Sequence, residues 1–403
     1  MHYERARGRY LAALGLAGLP AAFLAIGCQH AEPPATQTTA AATRHTEAWV
    51  PAIEAQPGPP RPALVQCPHG PFCVPQPESA GTTPAPAPHA MCAASVQLPK
   101  GIGPEGLSGN PPTISFDANR TTVERASDPG ACCYQWYVLC PGGRALRGPE
   151  GPVTASATRR DDWLAEANID VASLSPEVRA ALAAHWDREA AFEHASVGSF
   201  ARAALALLAV GAPPDLVAAT NAAAIDEVEH ARLGFALASA YGGTPRGPGA
   251  LPVAGTMSEA SLITVAVETF VDACAGESTA ALALREATAL AEDPAVRAIL
   301  SQIAEDEERH AELAWRTVAW ALREGGDHVA EALAGAMATL RAEIDEPAVV
   351  TTEASLDLAA HGVLSTAAQR SIRRRALAEV VIPCGAALIV RDTAPSASLT
   401  AMA

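Results

Sequence analysis

The chain has 403 residues, with 44 acidic against 28 basic side chains and a formal net charge of −16. That balance argues against nucleic acid as a partner, because phosphate binding needs a basic face. The length suits two or three domains.

In chain order, Arg5, Arg7 and Arg9 come first, then an apolar run from Leu11 to Ile26, then Gly27-Cys28. A basic start, an apolar stretch of this length and a small residue before a cysteine are the parts of an export signal. The run is too short for a spanning helix. Leu24-Ala25-Ile26-Gly27-Cys28 resembles a bacterial lipobox, with Ala25 where leucine is preferred. The resemblance implies residues 1–28 as a lipoprotein signal, lipidation at Cys28, a lipid anchor in a membrane, and a periplasmic or outer-membrane location. An ordinary secretory signal is the alternative. Residues 29–65 are mostly Pro, Ala, Thr and Gln, a composition that makes a disordered tether.

Residues 66–150 hold Cys67, Cys73, Cys92, Cys132, Cys133 and Cys140 among many Gly and Pro, with no helical period. Six cysteines in an exported, loop-rich module read as a disulfide framework whose pairing the sequence does not choose. Short strands are expected at Thr113–Phe116 and Tyr134–Leu139. Zinc, helped by His69 and His89, is the competing reading, weakened by the lack of any Cys-x-x-Cys pair. That lack also argues against a rubredoxin-type iron centre.

From about residue 160 the composition turns to Ala, Leu, Glu and Arg at helical spacing. The first helix starts at Ser175-Pro176-Glu177, passes Glu193 and stops at Gly211. The second begins near Pro213-Pro214-Asp215 and ends at Gly242-Gly243, before a long connection over Thr244–Thr256. The third starts near Ser258 and runs to Ala291. Asp293 and Pro294 open the fourth, and Gly325-Gly326 close it. Short loops within each pair and a long one between them predict a four-helix bundle over 160–325. Further helices are expected within 326–390, near Val329–Ile344 and Thr366–Val381.

Asp226-Glu227-Val228-Glu229-His230 and Asp306-Glu307-Glu308-Arg309-His310 each set a Glu and a His three residues apart on a helix. Residues at i and i+3 share a face, so each string aims a carboxylate and an imidazole at one point. Glu193 and Glu277 lie on similar apolar stripes, 34 residues before Glu227 and 30 before Glu307. Four carboxylates and two imidazoles therefore face one core. Burying unpaired carboxylates is costly and clustering them adds repulsion; two divalent metals remove the problem. Carboxylate with imidazole suits iron or manganese, with zinc allowed. Glu189, one turn before Glu193, is the alternative ligand. His194 and Glu229 read as solvated, Trp186, Trp315 and Trp320 as packing, and Cys274 as a small buried thiol.

From about Trp186 to Leu322 the order Glu, Glu-x-x-His, Glu, Glu-x-x-His resembles the ferritin-like di-iron carboxylate superfamily. The resemblance implies a mainly α, rubrerythrin-like bundle holding two iron ions, manganese being possible. It implies Glu193 and Glu277 as terminal ligands, Glu227 and Glu307 as bridges, and His230 and His310 as imidazole ligands. Asp226 and Asp306 would accept the free N–H of a ligand histidine on another helix. Oxidase or peroxidase chemistry on O2, peroxide, Fe(II) or an organic molecule is implied by the same likeness. A manganese catalase-like activity and a metal-free, lipid-anchored scaffold are the alternatives.

Overall fold

The computed structural model describes residues 2–16, 69–75, 95–97, 113–115, 131–137, 143–148, 151–257, 259–345 and 358–393. The described part is mainly helical. Cys28, the tether, Cys67, Cys92 and Cys140 lie outside the described residues.

The N-terminal segment is helix α1 (His2–Ala13). Four strands come next: β1 (His69–Pro75), β2 (Ser95–Gln97), β3 (Thr113–Ser115) and β4 (Ala131–Tyr137). Strands β1 and β4 pair antiparallel, as do β2 and β3. The first register sets Cys73 opposite Cys133 and Val74 opposite Cys132. Next come β5 (Arg147–Gly148) with β6 (Gly151–Pro152), then β7 (Ala157–Thr158), which pairs with the distant β8 (Gly247–Pro248). The β7–β8 pairing ties the chain ahead of the long helices to the connection between their two pairs.

Helix α2 (Pro176–Ala209) starts where the sequence predicts, with the Ser175 hydroxyl accepting from the Val178 amide and Pro at the first position. Helix α3 (Pro214–Gly242) ends on Gly243, whose φ of 70° is the left-handed cap that favours glycine. The two lie in close contact. A Cβ at Gly234 would stand 2.9 Å from that of Ala190, so the small residues set the approach of the two axes.

The third long helix begins at Ser261 rather than Ser258. Ser261 and Thr264 form a capping box at the head of α4 (Leu262–Glu268). A π-helical turn over Thr269–Cys274 then leads into α5 (Ala275–Leu290). Such turns insert one residue and re-aim the side chains of the next helical turn; this one directly precedes Glu277. The chain continues as α6 (Pro294–Asp345), kinked at Gly326, whose φ of 55° and ψ of −138° break the helix where Gly325-Gly326 predict an end. Helix α7 (Thr366–Ala376), a π-helical turn (Leu377–Val381) and α8 (Ile382–Thr393) close the described chain, twelve residues beyond the expected end at Val381.

Most buried apolar side chains of α4, α6 and α8 belong to one core, which Ala275 and Leu282 of α5 join, and α1 is part of it. Tyr10 is fully buried, its ring against Trp315 and that of Trp315 against Phe270. Tyr3, Leu11, Leu14 and Leu16 are buried as well. Arg9 pairs with Glu308 and Glu312 of α6, and Arg7 donates to the Glu379 carbonyl at 3.4 Å. The basic start of the expected export signal is thus packed into the helical body. Cys384, which the sequence leaves unassigned, is buried beneath it with Sγ 4.0 Å from the Arg7 carbonyl. Among the described residues no helix is long and apolar enough to cross a membrane.

Candidate metal centre

The site lies where α2, α3, α5 and α6 face one another. Donor atoms of Glu193 (α2), Glu227 and His230 (α3) and Glu307 (α6) lie within 4.8 Å of one another. His310 joins them with Nδ1 3.1 Å from Glu227 Oε1 and 3.9 Å from Glu307 Oε1. His230 Nδ1 stands 3.5 Å from Glu227 Oε2 and 3.4 Å from Glu307 Oε1. Each of the two Glu-x-x-His carboxylates therefore reaches both imidazoles. Glu277 is fully buried and feels the charge of Glu307. The four residues of the two motifs and Glu193 meet here, with Glu277 buried beside Glu307. Glu193 enters the cluster and Glu189 does not; burial alone pushes the Glu189 carboxyl up to about 7.

The electrostatics come from burial and crowding. Burial, then repulsion from Glu227 and Glu307, holds the Glu193 carboxyl well above its usual range. Burial and the neighbouring Glu307 do the same to Glu277. Burial also acts to raise Glu227, but the adjoining imidazoles of His230 and His310 outweigh it and bring that carboxyl well below the usual range. Burial acts to lower both imidazoles, and the carboxylates around them win. His230 is raised well above its ordinary value by Asp306, Glu227 and Glu307, and His310 to about 9 by Asp226 and Glu227.

Behind the imidazoles the two halves cross. His230 Nε2 lies 3.0 Å from Asp306 Oδ2, and His310 Nε2 lies 3.2 Å from Asp226 Oδ2. Each aspartate thus accepts from the histidine of the other helix, as the resemblance implies. Arg309 spans both aspartates, reaching Asp226 at 3.3 Å and also pairing with Asp306. Replacing Asp226 or Asp306 by alanine is expected to weaken metal affinity by about ten- to a hundredfold with helix content unchanged. A competition titration against a chelator of known affinity measures it, and a change under twofold would remove these residues from the site.

One wall comes from a segment that composition groups with the Cys-rich region. Gly143 N donates to the Gly276 carbonyl at 3.2 Å, and a Cβ at Gly276 would meet the Gly143 carbonyl oxygen at 2.6 Å. The strap 143–148 is fixed to α2 by the Ser196 and Ser199 hydroxyls, which donate to the carbonyls of Arg144 and Ala145 at 3.1 and 3.3 Å. Arg147 pairs at 2.8 Å with Asp272 of the π-helical turn. Leu146 is buried against Gly198. These residues belong with the helices because their contacts are to α2 and α5, across more than fifty positions of chain; no local pattern announces them.

Other expectations divide. Trp186, Trp315 and Trp320 are buried packing residues, and Cys274 is a buried thiol whose pKa burial pushes up. Glu229 pairs with Arg232 at the surface. His194 is half-buried rather than solvated, because Trp163 from the chain before α2 packs edge-on against it at 5.0 Å.

Whether the cluster suits metal is decided by its unmatched atoms. Glu227 Oε2, both Glu277 oxygens, Glu307 Oε2 and the Nδ1 atoms of His230 and His310 are all buried without a hydrogen-bond partner. Buried polar atoms are ordinarily paired, and these six oxygen and imidazole atoms converge from neighbouring helices as a set that could hold a metal ion. No protein-family model, curated protein or solved structure matches this chain.

Proposed function

We propose that the chain is a ferritin-like, di-metal carboxylate protein of oxidase or peroxidase type. In this reading α2, α3, α4–α5 and α6 are the four helices of the bundle. The six unpartnered buried atoms carry it. Glu227 and Glu307, each reaching both imidazoles, would hold the metals with His230, His310, Glu193 and Glu277. Two iron ions, or manganese, would supply one-electron steps toward O2 or peroxide.

The chain's own part is positioning. With Nε2–H donated to an aspartate, a neutral imidazole keeps its lone pair on Nδ1, the atom that faces the carboxylates. The strap 143–148 and Phe200, whose ring stands 5.1 Å from that of His310, cover the cluster and limit water. Export, with a lipid at Cys28, is proposed on the order of residues 1–28 alone; it would remove α1 and is therefore an alternative to the packed state of that helix.

Elemental mass spectrometry after anaerobic loading with Fe(II) or Mn(II) is expected to find close to two metals per chain. Less than half an equivalent would sink the proposal and leave a helical scaffold. Peroxide turnover that needs no added reductant would move the reading to catalase chemistry.

A further inference from the structure

A cavity of ≈ 160 Å³ lies between the C-terminal half of α2, the start of α4 and the middle of α6, beside the cluster. Its walls are largely apolar, with Ala206, Leu207, Val265 and Leu313 among them, and the exposed side chains of Leu205 and Met257 also line it. Three charged residues line it: Arg144, Arg202 and Glu268. Arg202 is committed, donating to the carbonyls of Arg147 and Thr256 and pairing with Glu268 at 3.6 Å. Arg144 is different. It comes from the strap, is 8% exposed, and its Nε is buried with no hydrogen-bond partner.

A guanidinium removed from water needs an anion and matched acceptors. Opposite Arg144 the structure offers a cation–π contact, with the guanidinium carbon 5.2 Å from the centre of the Phe200 ring. Glu277 contributes charge but sits in the metal cluster. The lining therefore sums to one positive charge in an apolar setting, with one charged donor left over.

The geometry points to a binding site for a small organic monoanion, a carboxylate with a short apolar or aromatic body, anchored on Arg144. The volume sets the size, since a dry cavity of about 150 Å³ takes one benzene ring. Phe200 stands between the anchor and His310, so the ligand lies one aromatic ring from the centre. Its role as a substrate rests on the proposed redox function, whereas the site itself does not.

The probe is benzoate, with benzamide as its neutral counterpart, titrated calorimetrically into the full-length protein as purified and again after chelation. Benzoate is expected to bind both samples at one site, at least tenfold tighter than benzamide. Arg144→Gln should lower benzoate affinity by about ten- to a hundredfold, the worth of a charged hydrogen bond. Arg144→Lys should recover part of the loss. Should Arg144→Gln fail to fold, Ala206→Phe fills the cavity and should abolish binding with Arg144 in place. Equal binding of benzoate and benzamide, or no binding at all, overturns the site. So does benzoate binding that chelation removes and Arg144→Gln leaves intact, because the ligand would then be held by metal. Since the titration is read with and without metal, loss of the metal centre and loss of the anion site are told apart.

Discussion

Glu227→Ala and Glu307→Ala should each abolish stoichiometric metal loading while leaving helix content nearly unchanged. Each carboxylate stands within 4 Å of both imidazole Nδ1 atoms, so its loss takes a donor from the middle of the cluster. Glu193→Ala and Glu277→Ala should be milder, each removing a donor from one side. The fold should survive because the apolar contacts of α3 and α6 do not run through these side chains. Circular dichroism and elemental analysis on the same sample separate the effects. If both variants still hold two metals per chain, the ligand assignment is wrong.

Deleting residues 1–16 should have the largest effect on stability. Five large side chains, Tyr3, Tyr10, Leu11, Leu14 and Leu16, are each under a tenth exposed. At about 1.5–3 kcal/mol apiece their burial is an upper estimate on the order of 10 kcal/mol. That is comparable with the whole stability of an ordinary domain, about 5–15 kcal/mol. The deletion also bares Trp315, and it takes away Arg9, which with Arg285 brackets Glu308 beside the buried Glu307. The ion pairs of Arg9 are partly solvated and add little; the lost packing dominates. A fall in Tm of well over 10 °C, or aggregation, is the expected result. Tyr10→Ala alone should cost about 3 kcal/mol in denaturant unfolding. A truncated chain that melts with the parent would show that α1 is not part of the core.

Much of this architecture could be read from the sequence because its signals are local. Ser175 with Pro176, Gly211, Gly243, Asp293 with Pro294, and Gly326 mark helix ends through capping and backbone freedom, and the ends fall there. The Glu-x-x-His pairs needed only the helical period. Three features were hidden for physical reasons. The π-helical turn at Thr269–Cys274 carries no proline or glycine to mark it. The strap holding Arg144 is positioned by hydrogen bonds to α2 and α5, which leave no trace in its own residues. Helix α1 holds the basic start of the expected export leader, and composition cannot tell such a start from a helix that docks on its own protein.

The packing of α1 also bears on how the chain folds. Arg7 meets the Glu379 carbonyl, Arg375 stacks at 4.0 Å on the Tyr3 ring, and Arg391 donates to the Leu14 carbonyl. Residues of α1 thus meet residues made much later, across a separation of 372 positions in the first of these contacts. Contacts this distant form late and slow the closing of a core. Helix α1 also packs on α6, through Tyr10 against Trp315 and Arg9 on Glu308, so its seat is complete only once α7 and α8 have joined. The proposed export would draw on the same residues as this docking, so the two would compete for them.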